Sequence, residues 1–168
     1  QYNFRTKKLK FINIPCPHNR INTIAALGTD TLALGTDNGL ILFSAHDNMF
    51  RQIDIRTSTQ PSNYVEQIYQ DRQKDVWVFP RNPGIVRLHL DSNEKEHLFT
   101  PQNEVIKHGR NSRKLIFEDK TGILWVLPTG GNLSYYDRKE KKLKPLLTDI
   151  DNPKSIFSPL VRFYTLDT

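Results

Sequence analysis

Residues 65–90, VEQIYQDRQKDVWVFPRNPGIVRLHL, return 48 positions later as residues 113–138, RKLIFEDKTGILWVLPTGGNLSYYDR. Ile68/Ile116, Asp71/Asp119, Trp77/Trp125, Val78/Val126, Pro80/Pro128 and Ile85/Leu133 keep one constant offset. A fixed period of this size marks a repeat protein. A looser copy runs earlier, over residues 21–44, INTIAALGTDTLALGTDNGLILFS, with Ala33 where the tryptophans stand and Thr36, Gly39 and Leu40 in the following turn. Another step forward lands on LVRFYTLDT, where Tyr164 and Asp167 fall opposite Ile116 and Asp119. At the other end YNFRTKKLKFINI matches YYDRKEKKLKPLL, with Lys7, Lys8, Leu9 and Lys10 over Lys141, Lys142, Leu143 and Lys144.

Each unit reads as strands between turns, since no stretch carries an apolar 3.6-residue stripe over three turns. In the third unit four strands are expected, at 114–118, 124–127, 133–136 and 143–147, divided by Asp-Lys-Thr-Gly, Thr-Gly-Gly-Asn and Arg-Lys-Glu-Lys. Gly122 and Gly131 supply positive φ at no steric cost, and Asp119 is placed to accept backbone N–H bonds within its own turn. Four short antiparallel strands recurring every 40 to 50 residues or so match one blade of a β-propeller. The expected fold is therefore all-β, a β-propeller fragment of about three complete four-stranded blades. Residues 22–56, 65–99 and 113–147 are the blades, 1–15 the last strand of another, and 160–168 the first strand of a further one. A solenoid or a single sandwich would not return the same Asp, Trp, Pro and Gly order at constant spacing.

Trp77 and Trp125 occupy matching places in the second strand, where a large flat side chain fills the wedge between adjacent blades; packing is the expected role. Ala33, at the equivalent point, leaves a gap that a neighbour must fill.

The unit visible as IFEDKTGILWVLPTGGNLSYYD follows I-x-x-D-x-x-G-x-L-W-V/I-x-T/P-x-G-G-L-x-x-Y-D and resembles the two-component-regulator propeller repeat. The copy at 71–90 departs from it, with Lys74 for the turn glycine and Pro83 before Gly84, and the first unit keeps only GTDNGL. The resemblance implies the periplasmic sensor region of a Bacteroidetes hybrid two-component system. In that family two propellers of about seven blades precede a β-sandwich, a membrane helix and a histidine kinase. The sensor works as a dimer and recognises polysaccharide fragments. The implied function is periplasmic oligosaccharide sensing that controls polysaccharide use. In this reading Gln1 follows a removed signal peptide.

Composition sets outer bounds. The chain has 168 residues, 37% of them apolar, so a core can form, yet three blades do not close a ring of roughly four to eight. No apolar run of about 18 residues exists, so a membrane link is expected only through segments outside this sequence. The single cysteine, Cys16, has no intrachain partner. His18, His46, His89, His97 and His108 show no metal-ligand spacing, and no phosphate-cradling loop, nucleophile elbow or H-E-x-x-H motif occurs. Glu94/Glu96 and Asp149/Asp151 are paired acids whose expected state is plain hydration at turns and strand ends. No cofactor, no metal and no catalysis in this segment are expected. The net charge of +6 raises nucleic acid as a partner, but no strand face interleaves aromatics with Lys and Arg as single-strand binders need.

Ligand residues are sought on one edge. In a four-stranded meander the turn after the second strand and the connection to the next unit emerge on the same side, because strand direction alternates. That side collects Thr36, Asp37 and Asn38, then Arg81 and Asn82, then Thr129, Gly130 and Asn132, with loops 57–64, 100–112 and 149–159. Loops on a rigid scaffold carry binding residues. Arg81, Asn82, His108, Arg110, Arg113 and Asn132 are the expected ligand contacts, the arginines offering forked hydrogen bonds to carboxylate or sulfate. A neutral sugar would instead stack on Tyr64 or Phe157. Two other readings remain open: a protein-interaction propeller, and part of a propeller that degrades polysaccharide.

Overall fold

A computed structural model describes residues 2–3, 5–9, 11–14, 20–98, 114–127 and 133–146. Every regular element among them is a strand. Two short ones, β1 (Tyr2–Asn3) and β2 (Lys8–Leu9), form a hairpin. Three four-stranded antiparallel meanders follow. The first is β3 (Ile21–Leu27), β4 (Thr31–Thr36), β5 (Gly39–Ser44) and β6 (Met49–Ile53). The second is β7 (Val65–Gln70), β8 (Val76–Pro80), β9 (Ile85–His89) and β10 (Glu94–Leu98). The third is β11 (Leu115–Glu118), β12 (Leu124–Leu127), β13 (Ser134–Asp137) and β14 (Lys142–Pro145). This is the sheet form of propeller blades. The N-terminal stretch, read as one strand of a unit, folds as a two-stranded hairpin because Tyr2 pairs with Leu9 as Tyr136 pairs with Leu143.

The Asp turn between the first two strands is built twice, atom for atom. In the second sheet Asp71 Oδ1 accepts the Gln73 and Asp75 amides, both at 3.0 Å, and Oδ2 accepts the Trp77 indole N–H at 2.9 Å. In the third, Asp119 Oδ1 accepts the Thr121 amide at 2.9 Å and the Ile123 amide at 3.0 Å. Its Oδ2 accepts the Trp125 indole at 2.8 Å. The turn closes through a residue with positive φ: 86° at Gly122, where no Cβ opposes it, and 71° at Lys74, which holds the same conformation against a steric penalty. Lys74 therefore does in the second copy what the repeat glycine does in the third. The hairpins between third and fourth strands share a second signature. Asn48, Asn93 and Lys141 close their loops at φ of 55°, 57° and 52°, and Lys7 closes the β1–β2 loop at 53°.

Strand alternation gives each sheet two faces, and the faces join in one sense only. One face carries the row Ala25–Ala33–Leu42 in the first sheet, Tyr69–Trp77–Arg87 in the second and Phe117–Trp125–Tyr135 in the third. The other carries Ile24–Leu34–Ile41, Ile68–Val78–Val86 and Ile116–Val126–Ser134. Leu27, Ala33, Leu40 and Leu42 of the first sheet pack on Ile68, Val76, Val78, Val86 and Leu88 of the second. Trp77, Phe79 and Ile85 of the second pack on Ile116, Leu124, Val126 and Tyr136 of the third. Trp77 is wholly buried, edge-on to Tyr136 with ring centroids 4.8 Å apart. Burial of an indole contributes roughly 4–6 kcal/mol at 25 cal/mol per Å². The gap expected beside Ala33 is closed by the aliphatic residues of the second sheet, and Ala33 is itself wholly buried.

Two outcomes follow. Trp77→Ala should lower unfolding free energy by about 3–5 kcal/mol in urea titration, with Trp125→Ala costing less because its indole is only partly buried. Hydrogen bonds from Thr121 and then Trp125 hold the Asp119 carboxyl at about 2, below the unfolded value near 3.9. Its contribution is therefore present above about pH 4 and lost as pH falls through about 2. The urea-midpoint gap between wild type and Asp119→Asn should shrink over that window; a gap constant from pH 6 to about 2 would contradict the assignment.

Candidate functional site

The meander places the second-strand turns and the inter-sheet crossing on one edge, and hydrogen bonds tie them together. The first crossing, 54–64, runs over the ends of β4 and β8. Asn63 donates through Nδ2 to Asn38 Oδ1 at 3.0 Å, accepts the Ile55 amide at 2.9 Å, and offers its carbonyl to Gly39 N at 2.5 Å. Gly39 has φ of 97°, and a Cβ there would collide with the Ile53 carbonyl and the Asn63 side chain. Asn22 donates to Asp37 Oδ1 and to the Val65 carbonyl, joining the first sheet to the second. Gln60 is buried and bonds the Ser62 backbone at both ends of its amide. The loop is thus a shelf tied to the first sheet through Asn63 and braced internally through Gln60.

Arg81 stands on that shelf. Its amide donates to the Tyr64 carbonyl at 3.1 Å, and its guanidinium lies 3.9 Å from the Tyr64 ring centroid. The stacked guanidinium keeps its in-plane N–H donors for a ligand, as a carboxylate or sulfate requires. The same contact covers one face of Tyr64, so the ring expected to stack on a neutral sugar is occupied on that side by Arg81. Asn82, half-buried, follows in the turn. Beside it His97 Nε2 donates to the Pro83 carbonyl at 3.1 Å, which leaves Nδ1 to accept the Thr59 hydroxyl at 2.9 Å. Arg81, Asn82 and Tyr64 thus share one edge with Asn38 and Asn63. His108, Arg110, Arg113, Gly131 and Asn132 lie outside the described residues. Lys114, next to them in sequence, forms an ion pair with Glu66 on β7.

The opposite side of the second joint carries a charged network that periodicity did not reveal. Arg138 donates to Asp71 Oδ2 at 3.1 Å and to Glu118 Oε1 at 3.4 Å. Glu118 also accepts the Arg72 amide at 3.0 Å. Arg87 bonds Asp75 at 2.8 Å, Glu96 at 3.4 Å and the Tyr136 hydroxyl at 3.1 Å, while His89 Nδ1 meets Asp75 at 3.0 Å. Burial acts to lower the Arg87 pKa, but its bond to Asp75 and the nearby acids hold it above its ordinary value. Glu96, expected to be merely hydrated, is an ion-pair partner of Arg87. Asp71, Asp75 and Glu118 are buried, and each has a cation or several N–H groups facing it, as buried carboxylates require. The first joint has Leu42 and Leu88 where the second has Arg87 and Tyr136, and a groove of about 330 Å³ remains there. Arg51 and Lys95 bridge it, Arg51 bonding the Leu90 carbonyl in the turn after β9 and Lys95 the Asp54 and Arg56 carbonyls of the first crossing. Among the described residues no three His, Cys, Asp or Glu side chains group to hold a metal ion, and no helix is long and apolar enough to cross a membrane.

No family model and no curated protein matches the chain. Among solved structures it is similar to the extracellular domain of BT4673 from B. thetaiotaomicron in two crystal structures. One describes that protein as a one-component system, with TM-score 0.64 and 23% identity over 87% of this chain and 19% of that one. The other describes it as a hybrid two-component system, with TM-score 0.63 and 24% identity over 86% and 19%. An auxiliary nutrient-binding protein from Bacteroides thetaiotaomicron aligns at TM-score 0.50 and 14% identity, over 74% of this chain and 30% of that one. The chain spans about a fifth of the length of the BT4673 domain. At these identities the likeness shows a shared fold.

The stacked pair has a direct check. A double-mutant cycle of Arg81→Ala and Tyr64→Ala should return a coupling of about 0.5–1 kcal/mol in unfolding free energy, the size of an exposed cation–π contact. A coupling near zero would mean that Arg81 does not rest on the ring in solution.

Proposed function

We propose that the chain is the ligand-sensing part of a periplasmic propeller in a hybrid two-component sensor that controls polysaccharide use, and that it binds an oligosaccharide on the edge bearing Arg81 and Asn82. The observation that carries this reading is the fold shared with an extracellular domain of such a system, combined with the rigid shelf that holds Arg81 on Tyr64. Residues 22–56, 65–99 and 113–147 are successive blades in this reading, and the segment binds without catalysis. His108, Arg110, Arg113 and Asn132 join Arg81 and Asn82 from the connections that sequence alternation assigns to the same edge. An acidic sugar is favoured over a neutral one because Arg81 covers a face of Tyr64 and offers charge in its place. The parent ectodomain acts as a homodimer, and ligand shifts its arrangement through different affinity for two states.

The test is calorimetric titration of the chain against acidic and neutral oligosaccharides at salt concentrations of about 50 and about 150 mM. An acidic member should bind, more weakly at the higher salt, and Arg81→Ala with Arg110→Ala should weaken it about tenfold or more. Binding to a neutral member alone would overturn the acidic assignment. Binding to none would overturn the glycan reading and leave a protein partner as the occupant of this edge.

A further inference from the structure

Register aligns the two joints residue by residue, and it shows what the groove of the first joint is without. Arg51 stands opposite Leu42 as Glu96 stands opposite Arg87, so Arg51 holds the glutamate's place. On the facing sheet Lys95 stands opposite Leu88 as Leu143 stands opposite Tyr136, so Leu88 holds the tyrosine's place and Lys95 the leucine's. The second joint gathers a ring and a carboxylate on one guanidinium: Arg87 donates to the Tyr136 hydroxyl at 3.1 Å and to Glu96 at 3.4 Å. The first joint supplies neither at those positions. A groove of about 330 Å³ stands there instead, a volume in the range of small-ligand sites.

The charges around this groove are held in place without being neutralised. Arg51 Nη2 donates to the Leu90 carbonyl and to Asn93 Oδ1, both at 3.1 Å. Lys95 Nζ donates to the Asp54 and Arg56 carbonyls at 3.0 and 3.1 Å. All four acceptors are uncharged, and among the described residues neither cation forms an ion pair with a carboxylate. The Nε and Nη1 donors of Arg51 have no partner among those residues either. Asp54, on the groove wall, is taken by Arg56, whose Nε donates to its two oxygens at 3.0 and 2.9 Å. That leaves Arg51 and Lys95 against the single acid Glu94, with Leu88, Leu90 and Ile53 lining the groove in hydrocarbon.

We propose that this groove is a binding site for a ring-bearing carboxylate, the ring lying on Leu88 and Leu90 in the place that Tyr136 fills in the second joint, and the carboxylate pairing with Arg51 and Lys95. An anion on a fixed guanidinium gains charge-assisted hydrogen bonds, and the hydrocarbon lining takes the ring. A uronic acid and an aromatic acid share this chemistry. The site is separate from the edge bearing Arg81, and the inference does not rest on the reading of that edge.

The test is a proton–nitrogen NMR titration of the full chain with glucuronate, with para-hydroxybenzoate, and with glucose as the uncharged control. At least one carboxylate should shift the Asn93 and Lys95 amide signals saturably, and the one that does so identifies the source; glucose should not. Arg51→Gln and Lys95→Gln should each weaken binding about tenfold or more, the size of one lost hydrogen bond to a charged group. Glu94→Gln should tighten it by removing the opposing acid. All three side chains are exposed, so these variants should keep the wild-type melting temperature. Arg81→Ala should leave the titration unchanged, which separates failure of this site from failure of the Arg81 edge. No saturable shift with either carboxylate, equal binding of glucose, or an affinity untouched by Arg51→Gln and Lys95→Gln would overturn the site.

Discussion

One carboxylate does two things at once in the second sheet and again in the third. The Asp71 side chain fixes the turn between β7 and β8 through two backbone amides, and it fixes the indole of Trp77 through Oδ2. The turn sets the register of β7 against β8. The indole sets the distance between the second and third sheets. An Asp at the turn and a Trp six residues on are thus one device, and Asp119 with Trp125 repeats it. The buried Ile, Val and Leu row of the third sheet packs at that spacing, while the first joint reaches the same sense of stacking with Ala33 in the tryptophan's place.

The two joints meet the same geometric demand with different chemistry. The second joint is filled by Trp77 and Tyr136 and bordered by ion pairs of Arg87 and Arg138 with buried acids. Removing one partner of such a pair costs about 3–5 kcal/mol, because the other charge stays buried. The first joint has Ala33, Leu42 and Leu88 at those places, is sealed mostly by aliphatic side chains, and keeps a groove bridged by Arg51 and Lys95. A repeat thus conserves its strand register while its joints differ in what they bury.

Much of this was legible in the sequence because it is local or periodic. The constant offset between Asp71–Trp77 and Asp119–Trp125 gave the sheet form, and the amide bonds within the Asp119 turn follow from a short acidic side chain ahead of a glycine. Ala33 was correctly placed, since register puts it opposite Ala25 as Trp77 stands opposite Tyr69. The bond from indole to carboxylate was not legible, because spacing alone does not say which way a tryptophan edge turns. Nor was Lys74, which takes a glycine conformation without being glycine. Arg138 meets Asp71 across 67 positions, and Arg87 meets Tyr136 across 49; such pairings exist only once sheets have stacked. Of the expected ligand contacts, Arg81 and Asn82 lie on the loop-bearing edge, and the stacking of Arg81 on Tyr64 is a tertiary contact that no local pattern announces.

The carboxylate–indole bond between Asp71 and Trp77 is part of the cooperative core. The chain has two tryptophans, so a proton NMR spectrum shows two indole N–H signals, and Trp77→Phe assigns them. The Trp77 indole proton should exchange with solvent only as slowly as the amides of Val76 and Val86, through global unfolding. Exchange of that proton orders of magnitude faster than those amides would show that the bond to Asp71 opens on its own, and would contradict the claim that it holds turn and joint together.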